Sequence, residues 1–147
     1  MRISAKARYG LAAMIYFGLQ EETHPKLSVL EVSEALNISK IYLEQVFSQL
    51  KAAGIVHAVK GPQGGYSLSR SARDITAYDV LSATETSLFD VTPETVSENA
   101  SHIEEAMYSQ VFDRLDQSVK AVLSEISIAE LAETAYTLTA DGYMYYL

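Results

Sequence analysis

The chemistry available to this chain lies in hydrogen-bonding side chains rather than in nucleophiles or metal ligands. None of its 147 residues is cysteine, which excludes disulfides, thiol catalysis, zinc–thiolate sites and cysteine-ligated clusters. His24, His57 and His102 are far apart and lack metal-ligand spacing such as His-x-x-x-His. No Gly-x-Ser-x-Gly, phosphate-loop or dinucleotide fingerprint occurs, so no catalytic residue, metal or cofactor is expected. By contrast, Lys40, Tyr42, Glu44, Gln45, Ser48, Gln49 and Lys51 crowd into one short segment. Glutamine can bond adenine through two hydrogen bonds and glutamate can accept from cytosine N4, so Gln45 and Glu44 are suited to base edges. Lys40, Tyr42 and Ser48 suit phosphate oxygens.

Two further groups point the same way. Lys60 precedes Gly61-Pro62-Gln63-Gly64-Gly65, where the glycines, Gly64 among them, allow a close backbone approach and Gln63 is the only long side chain. Arg2, Lys6 and Arg8 cluster at the start of the chain, beside a helix N-terminus that itself attracts phosphate.

The elements that must position these groups follow from caps and periodicity. Ser4 caps a helix over about residues 5–20 that is apolar nearly all round, and so is buried on most sides. Residues 20–26 read as a loop. Ser28-Val29-Leu30-Glu31 has capping-box spacing and opens a helix through Leu36, which Asn37 ends in the left-handed conformation. Ile38 turns inward, and Ser39 caps a third helix of about residues 40–53. There Leu43, Val46, Phe47 and Leu50 form one apolar stripe, and Gly54 ends the helix. Residues 55–60 and 66–69 are extended segments around the glycine-rich turn, a β-hairpin. Thr76 caps a short helix to about Thr84.

Residues 85–100 read as a polar loop. Beyond it Ile103, Met107, Val111, Leu115, Val119, Val122 and Ile126 recur every three or four residues. A helix over 101–126 would be about 39 Å long, more than a small domain covers, and a second copy of the chain is the simplest partner. A last helix runs from Ser127 to about Leu138. Asp141-Gly142 then marks a turn before an apolar terminal strand or tail, Tyr143-Met144-Tyr145-Tyr146-Leu147. The expected organisation is mainly α with a small β-hairpin wing: a winged helix-turn-helix over 1–84, a linker over 85–100, and a dimerisation helix, final helix and tail over 101–147.

Charge is divided between the halves. The formal net charge is −8, yet residues 1–73 carry a net +4 and residues 74–147 a net −12. A local basic face, not a basic average, is what nucleic acid requires. No run of about 18 apolar residues suggests a membrane span, and the N-terminus lacks a signal-peptide pattern, so a cytoplasmic protein without membrane partners is expected.

At these residues the chain resembles the bacterial winged-helix transcription regulators that include IscR, an iron–sulfur regulator, and CymR, a cysteine-metabolism repressor. The matching stretches are Met1-Arg2-Ile3-Ser4, Arg8-Tyr9-Gly10, Ile38-Ser39, Tyr42-Leu43-Glu44-Gln45, Gly54-Ile55-Val56, residues 59–66, Ile75-Thr76-Ala77 and Asp79-Val80. The long helix and tyrosine-rich ending look more like the CymR branch. The resemblance implies a homodimeric repressor that crosses its long helices on an imperfect palindrome of double-stranded DNA. It implies base reading from Tyr42 to Gln45 with Glu44 as discriminator, Ser39 within the interface, and Lys60 in the minor groove. Cluster-binding members carry three cysteines around residues 88–107; this chain carries none. In the CymR branch a cysteine-biosynthesis enzyme is the regulatory partner, and the resemblance leaves such a partner open here. A competing reading is a dimeric protein-interaction module that does not bind DNA, favoured by the acidic second half and apolar tail.

Overall fold

The computed structural model describes the backbone of residues 2–145 and the side chains of residues 2–139. Helix α1 (Ala5–Gln20) starts where the Ser4 hydroxyl accepts from the Ala7 amide at 3.2 Å. A two-residue strand, β1 (Lys26–Leu27), leads into α2 (Val29–Leu36), whose Ser28–Glu31 capping box closes in both directions. Asn37 ends α2 at φ 53°, in the left-handed region. Ser33 then donates to the Ile38 carbonyl at 2.6 Å, bracing the turn into α3 (Lys40–Ala52). The hairpin follows as β2 (Val56–Val59) and β3 (Gly65–Leu68).

β1 pairs with the outer edge of β3, giving a three-stranded antiparallel sheet in the order β1-β3-β2. This corrects the reading of residues 20–26 as loop. A strand of two residues after His24-Pro25 is too short to carry an alternation. Beyond the sheet, a short 3-10 turn (Ala72–Asp74) leads to α4 (Ala77–Thr84), opened by a Thr76–Asp79 capping box. Arg70 ties the foot of the hairpin to that box through Asp79 at 3.0 Å.

The core brings α1, α3, α4 and the sheet together. Phe17, Met14, Leu43, Phe47, Leu50, Val32, Ile55, Ile75 and Val80 are buried within it. Gly10 lets α1 approach α4 and α3: a Cβ there would stand 3.0 Å from Thr84 and 3.4 Å from Val46.

The second half departs from a single uninterrupted helix. Helix α5 (Ser97–Met107) begins inside the expected linker and kinks at Ala100. A π-turn (Tyr108–Phe112) follows, and α6 (Asp113–Ser124) completes the long arm. An apolar stripe repeating every four residues advances about 40° per step on a helix of 3.6 residues per turn. The wider π-turn takes up part of that drift and keeps Met107, Val111 and Leu115 nearer one face.

The chain then returns to the first domain. Ala77 donates to the Ile126 carbonyl and Ile128 to the Ile75 carbonyl, each at 2.8 Å, beside a bridge between Thr76 and Ser127. Helix α7 (Ile128–Tyr145) lays its first turns on α1, with Ile128 and Ala132 buried against Gly18. The start of α7 thus packs on the winged-helix core. Helix α7 also runs through the expected turn at Asp141-Gly142, so Tyr143, Met144 and Tyr145 are helical; Tyr146 and Leu147 lie outside the described residues. One glycine costs a helix only about 1 kcal/mol against alanine, too little to end it where no proline follows.

Candidate nucleic-acid interface

Helix α3 separates its residues into two faces. Leu43, Val46, Phe47 and Leu50 are fully buried, whereas Lys40, Tyr42, Glu44, Gln45 and Ser48 face solvent. Gln49, expected outside, is half-buried, with its Oε1 lacking a hydrogen-bond partner. It lies next to the buried Val46–Leu50 row rather than opposite it. Ser39 holds the N-cap position but makes no side-chain capping bond, so its hydroxyl is not committed to the helix.

Two aromatic contacts fix the neighbouring pieces against α3. Tyr9 meets Tyr42 edge to face, with ring centroids 5.3 Å apart, which sets the N-terminal turns of α1 and α3 side by side. Lys6, one turn before Tyr9, is half-buried, and Arg2 is exposed. Phe47 stacks on Tyr66 at 4.8 Å with an interplanar angle of 14°, so β3 is held against the middle of α3. Lys60 and Gln63 are exposed beyond β2 at the hairpin tip. Sequence spacing could not find these contacts, because Tyr9 and Tyr66 sit far from their partners along the chain.

The glycines of the tip divide their duties. Gly61 has φ +118°, and Gly64 donates to its carbonyl at 2.9 Å, closing the turn. Gly65 lies so close to β1 that an added Cβ would stand 2.5 Å from the Leu27 carbonyl oxygen, and at Gly64 one would stand 2.7 Å from Val59 O. The close approach at Gly64 and Gly65 is therefore to the chain's own backbone, not to an open groove.

Among the described residues, Arg70–Asp79 is the sole ion pair within 4.0 Å, so Arg2, Lys6, Lys40 and Lys60 face no carboxylate partner. The start of α1 has one nonetheless nearby: the Ser4 amide donates to Glu85 at 2.7 Å. Hydrogen bonding to Ser4, side chain before amide, holds the Glu85 carboxyl below its usual value. A phosphate at this helix end would compete with Glu85, which sequence reading did not anticipate.

Residues 85–107 are also pinned from within. Glu104 accepts from the Val96 amide at 2.9 Å and from the Thr95 amide and hydroxyl, bonds that lower its pKa, the Val96 amide most. Phe89 packs on Tyr78 at 5.3 Å beneath the Lys120 ammonium. Along α5, the π-turn and α6 no residue is buried. Ile103, Val111, Leu115 and Val122 are exposed, and Met107, Val119 and Ile126 are half-buried.

The sequence pattern of a family described as Rrf2, iron-dependent transcriptional regulator, matches residues 3–134. The chain belongs to the Rrf2 family. The HTH-type transcriptional regulator IscR of Klebsiella pneumoniae (strain 342) is 32% identical over 142 residues, spanning 97% of this chain and 86% of the relative. The solved structure of CymR, the global cysteine regulator of B. subtilis, superposes with a TM-score of 0.73 at 30% identity, covering 91% of this chain and 98% of that one. T. potens IscR superposes with a TM-score of 0.71 at 32% identity, covering 99% and 96%. This Rrf2 chain is thus a winged-helix, DNA-binding transcriptional regulator and not an enzyme.

The family's description raises iron, and the residues present do not fit an iron–sulfur cluster. Such clusters are held mainly by thiolates, of which the chain has none. Among the described residues no three histidine or carboxylate groups converge as a metal site. Glu85 and Glu104, at the two ends of the segment in question, are engaged with backbone amides.

Proposed function

We propose that the chain acts as a homodimeric, cluster-free repressor on an imperfect palindrome. One observation carries this reading: the polar face of α3 is exposed on the side opposite its buried stripe, and Lys60 and Gln63 are exposed at the hairpin tip. In this reading Glu44 and Gln45 contact base edges from the major groove. Ser39, Lys40, Tyr42 and Ser48 contact phosphates, as do Arg2 and Lys6 from the start of α1. Lys60, with Gln63, enters the adjacent minor groove, while Gly64 closes the turn that carries them. The bare apolar arm built from α5, the π-turn and α6 supports a second copy as its cover, with recognition helices about 34 Å apart, one turn of DNA. The repressor sense rests on likeness to the CymR branch. In the same reading the repressor acts in the cytoplasm, with a regulatory protein partner such as a cysteine-biosynthesis enzyme left open.

The test is titration of a duplex enriched by the protein from a random library, at several salt concentrations. Affinity should fall steeply with salt, because each neutralised phosphate contributes a slope of about −0.9 in log K against log salt. Because the dimer carries two copies, Lys60→Ala should weaken binding to most sequences and reduce the slope by up to about 1.8, whereas Glu44→Ala should relax base preference more than affinity. A titration that shows no duplex binding and hence no slope with salt would favour the protein-interaction module instead.

A further inference from the structure

The exposed face of α3 contains a residue with no hydrogen-bonding capacity. The buried stripe runs Leu43, Val46, Phe47, Leu50. Two residues out of phase, on the opposite side of the helix, Ile41, Glu44, Gln45 and Ser48 repeat the same spacing, and all four are exposed. Three are polar. Ile41 is not, and it is 71% exposed, more than Tyr42 beside it at 37%. Its side chain cannot bond a phosphate, and it stands in the first turn of α3, the end of a recognition helix that meets base edges. In the major groove, four base pairs offer donors, acceptors and a single apolar feature, the C5-methyl of thymine. Glu44 supplies an acceptor and Gln45 both a donor and an acceptor. The stripe lacks a partner for a methyl group unless Ile41 provides it.

We propose that Ile41 is a specificity-determining residue that recognises a thymine methyl group, one turn of α3 before the contacts of Glu44 and Gln45. The proposal rests on the reading of α3 as the base-reading helix. Contact between Ile41 and the methyl removes both from water and makes no demand on hydrogen bonding. It therefore separates thymine from cytosine and from uracil without competing with its polar neighbours. It also predicts that the base read by Ile41 lies next to the step read by Glu44 and Gln45, because the three share one stripe.

The experiment uses the full chain and a duplex that it enriches from a random library. Each thymine in turn is replaced by deoxyuridine, which pairs identically and lacks only the methyl. Wild type should lose about fourfold in affinity at one position in each half-site, the effect of one buried methyl group. Ile41→Ala should bind the thymine and uracil duplexes equally, and Ile41→Val should keep part of the difference. Because Ile41 is mostly exposed, these variants should unfold at the same urea midpoint as wild type. Uniform tolerance of deoxyuridine by wild type would overturn the proposal, as would undiminished sensitivity in Ile41→Ala. If Ile41→Ala changed the oligomeric state instead, Ile41 would belong to a protein contact and the proposal would be wrong. Failure of wild type to enrich any duplex would sink the underlying reading of α3, a result distinct from binding that ignores the methyl.

Discussion

Gly65→Ala isolates the close approach on which the wing depends. A Cβ at this position would stand 2.5 Å from the Leu27 carbonyl oxygen, 2.7 Å from its carbon and 2.9 Å from the Ser28 nitrogen. Real Cβ contacts are no shorter than 3.0 Å and ordinary contact begins at 3.4 Å, so β1 and β3 must part by about 0.5 to 0.9 Å. The obstacle is backbone on both sides, so no side-chain rotation relieves it. Overpacking of this kind costs about 1–3 kcal/mol. The displaced Ser28 also anchors α2, since its amide donates to Glu31 at 2.6 Å, and a weakened cap adds about 0.5–2 kcal/mol. Urea unfolding at fixed protein concentration should therefore show a loss of about 1.5–5 kcal/mol. Because β3 carries the tip through Gly65, duplex affinity should fall as well. Gly61→Ala is the control: nothing lies within 4 Å of its added Cβ, and only the +118° φ is strained. It should cost about 1–2 kcal/mol and leave β1 in place. A Gly65→Ala protein within about 0.5 kcal/mol of wild type would refute the close approach of β3 to β1.

Phe47→Ala should destabilise by about 3–5 kcal/mol in urea unfolding, because Phe47 is fully buried and its loss also removes the stacked contact with Tyr66. Leu115→Glu should leave single-chain stability close to wild type, since Leu115 is 58% exposed, while sedimentation should show a monomer in place of a dimer. The Glu31 carboxyl is held below 4.5, chiefly by hydrogen bonding to the Ser28 backbone, and the Glu85 carboxyl by Ser4. Lowered folded values mean that these bonds stabilise the fold above about pH 4.5 and are lost as the pH falls through them. A Glu31→Gln, Glu85→Gln double variant should consequently show a flatter loss of stability on acidification, read from urea midpoints across that window.

Much of the molecule was legible along the chain because the signals act over three or four residues. The Ser28–Glu31 box, the Thr76 cap, the left-handed Asn37 and the stripe from Leu43 to Leu50 are local devices, and each appears where its spacing places it. The polar face of α3 followed from that stripe, since whatever alternates with buried residues must face out. Ile41 stands in the same exposed spacing although its side chain is apolar. The expected helix over 101–126 is helical from 101 to 124, but its earlier start at Ser97, the kink at Ala100 and the π-turn were not legible, because they leave the four-residue repeat unchanged.

The amino-acid order alone determined the helix-turn-helix, the hairpin and the divided charge, for these depend on neighbours within one or two turns. Tertiary structure alone decided how they meet. Tyr9 against Tyr42, Tyr66 on Phe47, Glu85 at the start of α1 and Ile128 beneath it join residues separated by 19 to more than 100 positions. Each such contact requires loops to close and faces to align at once. Pairing over those separations depends on the path of the whole backbone, which no local pattern records.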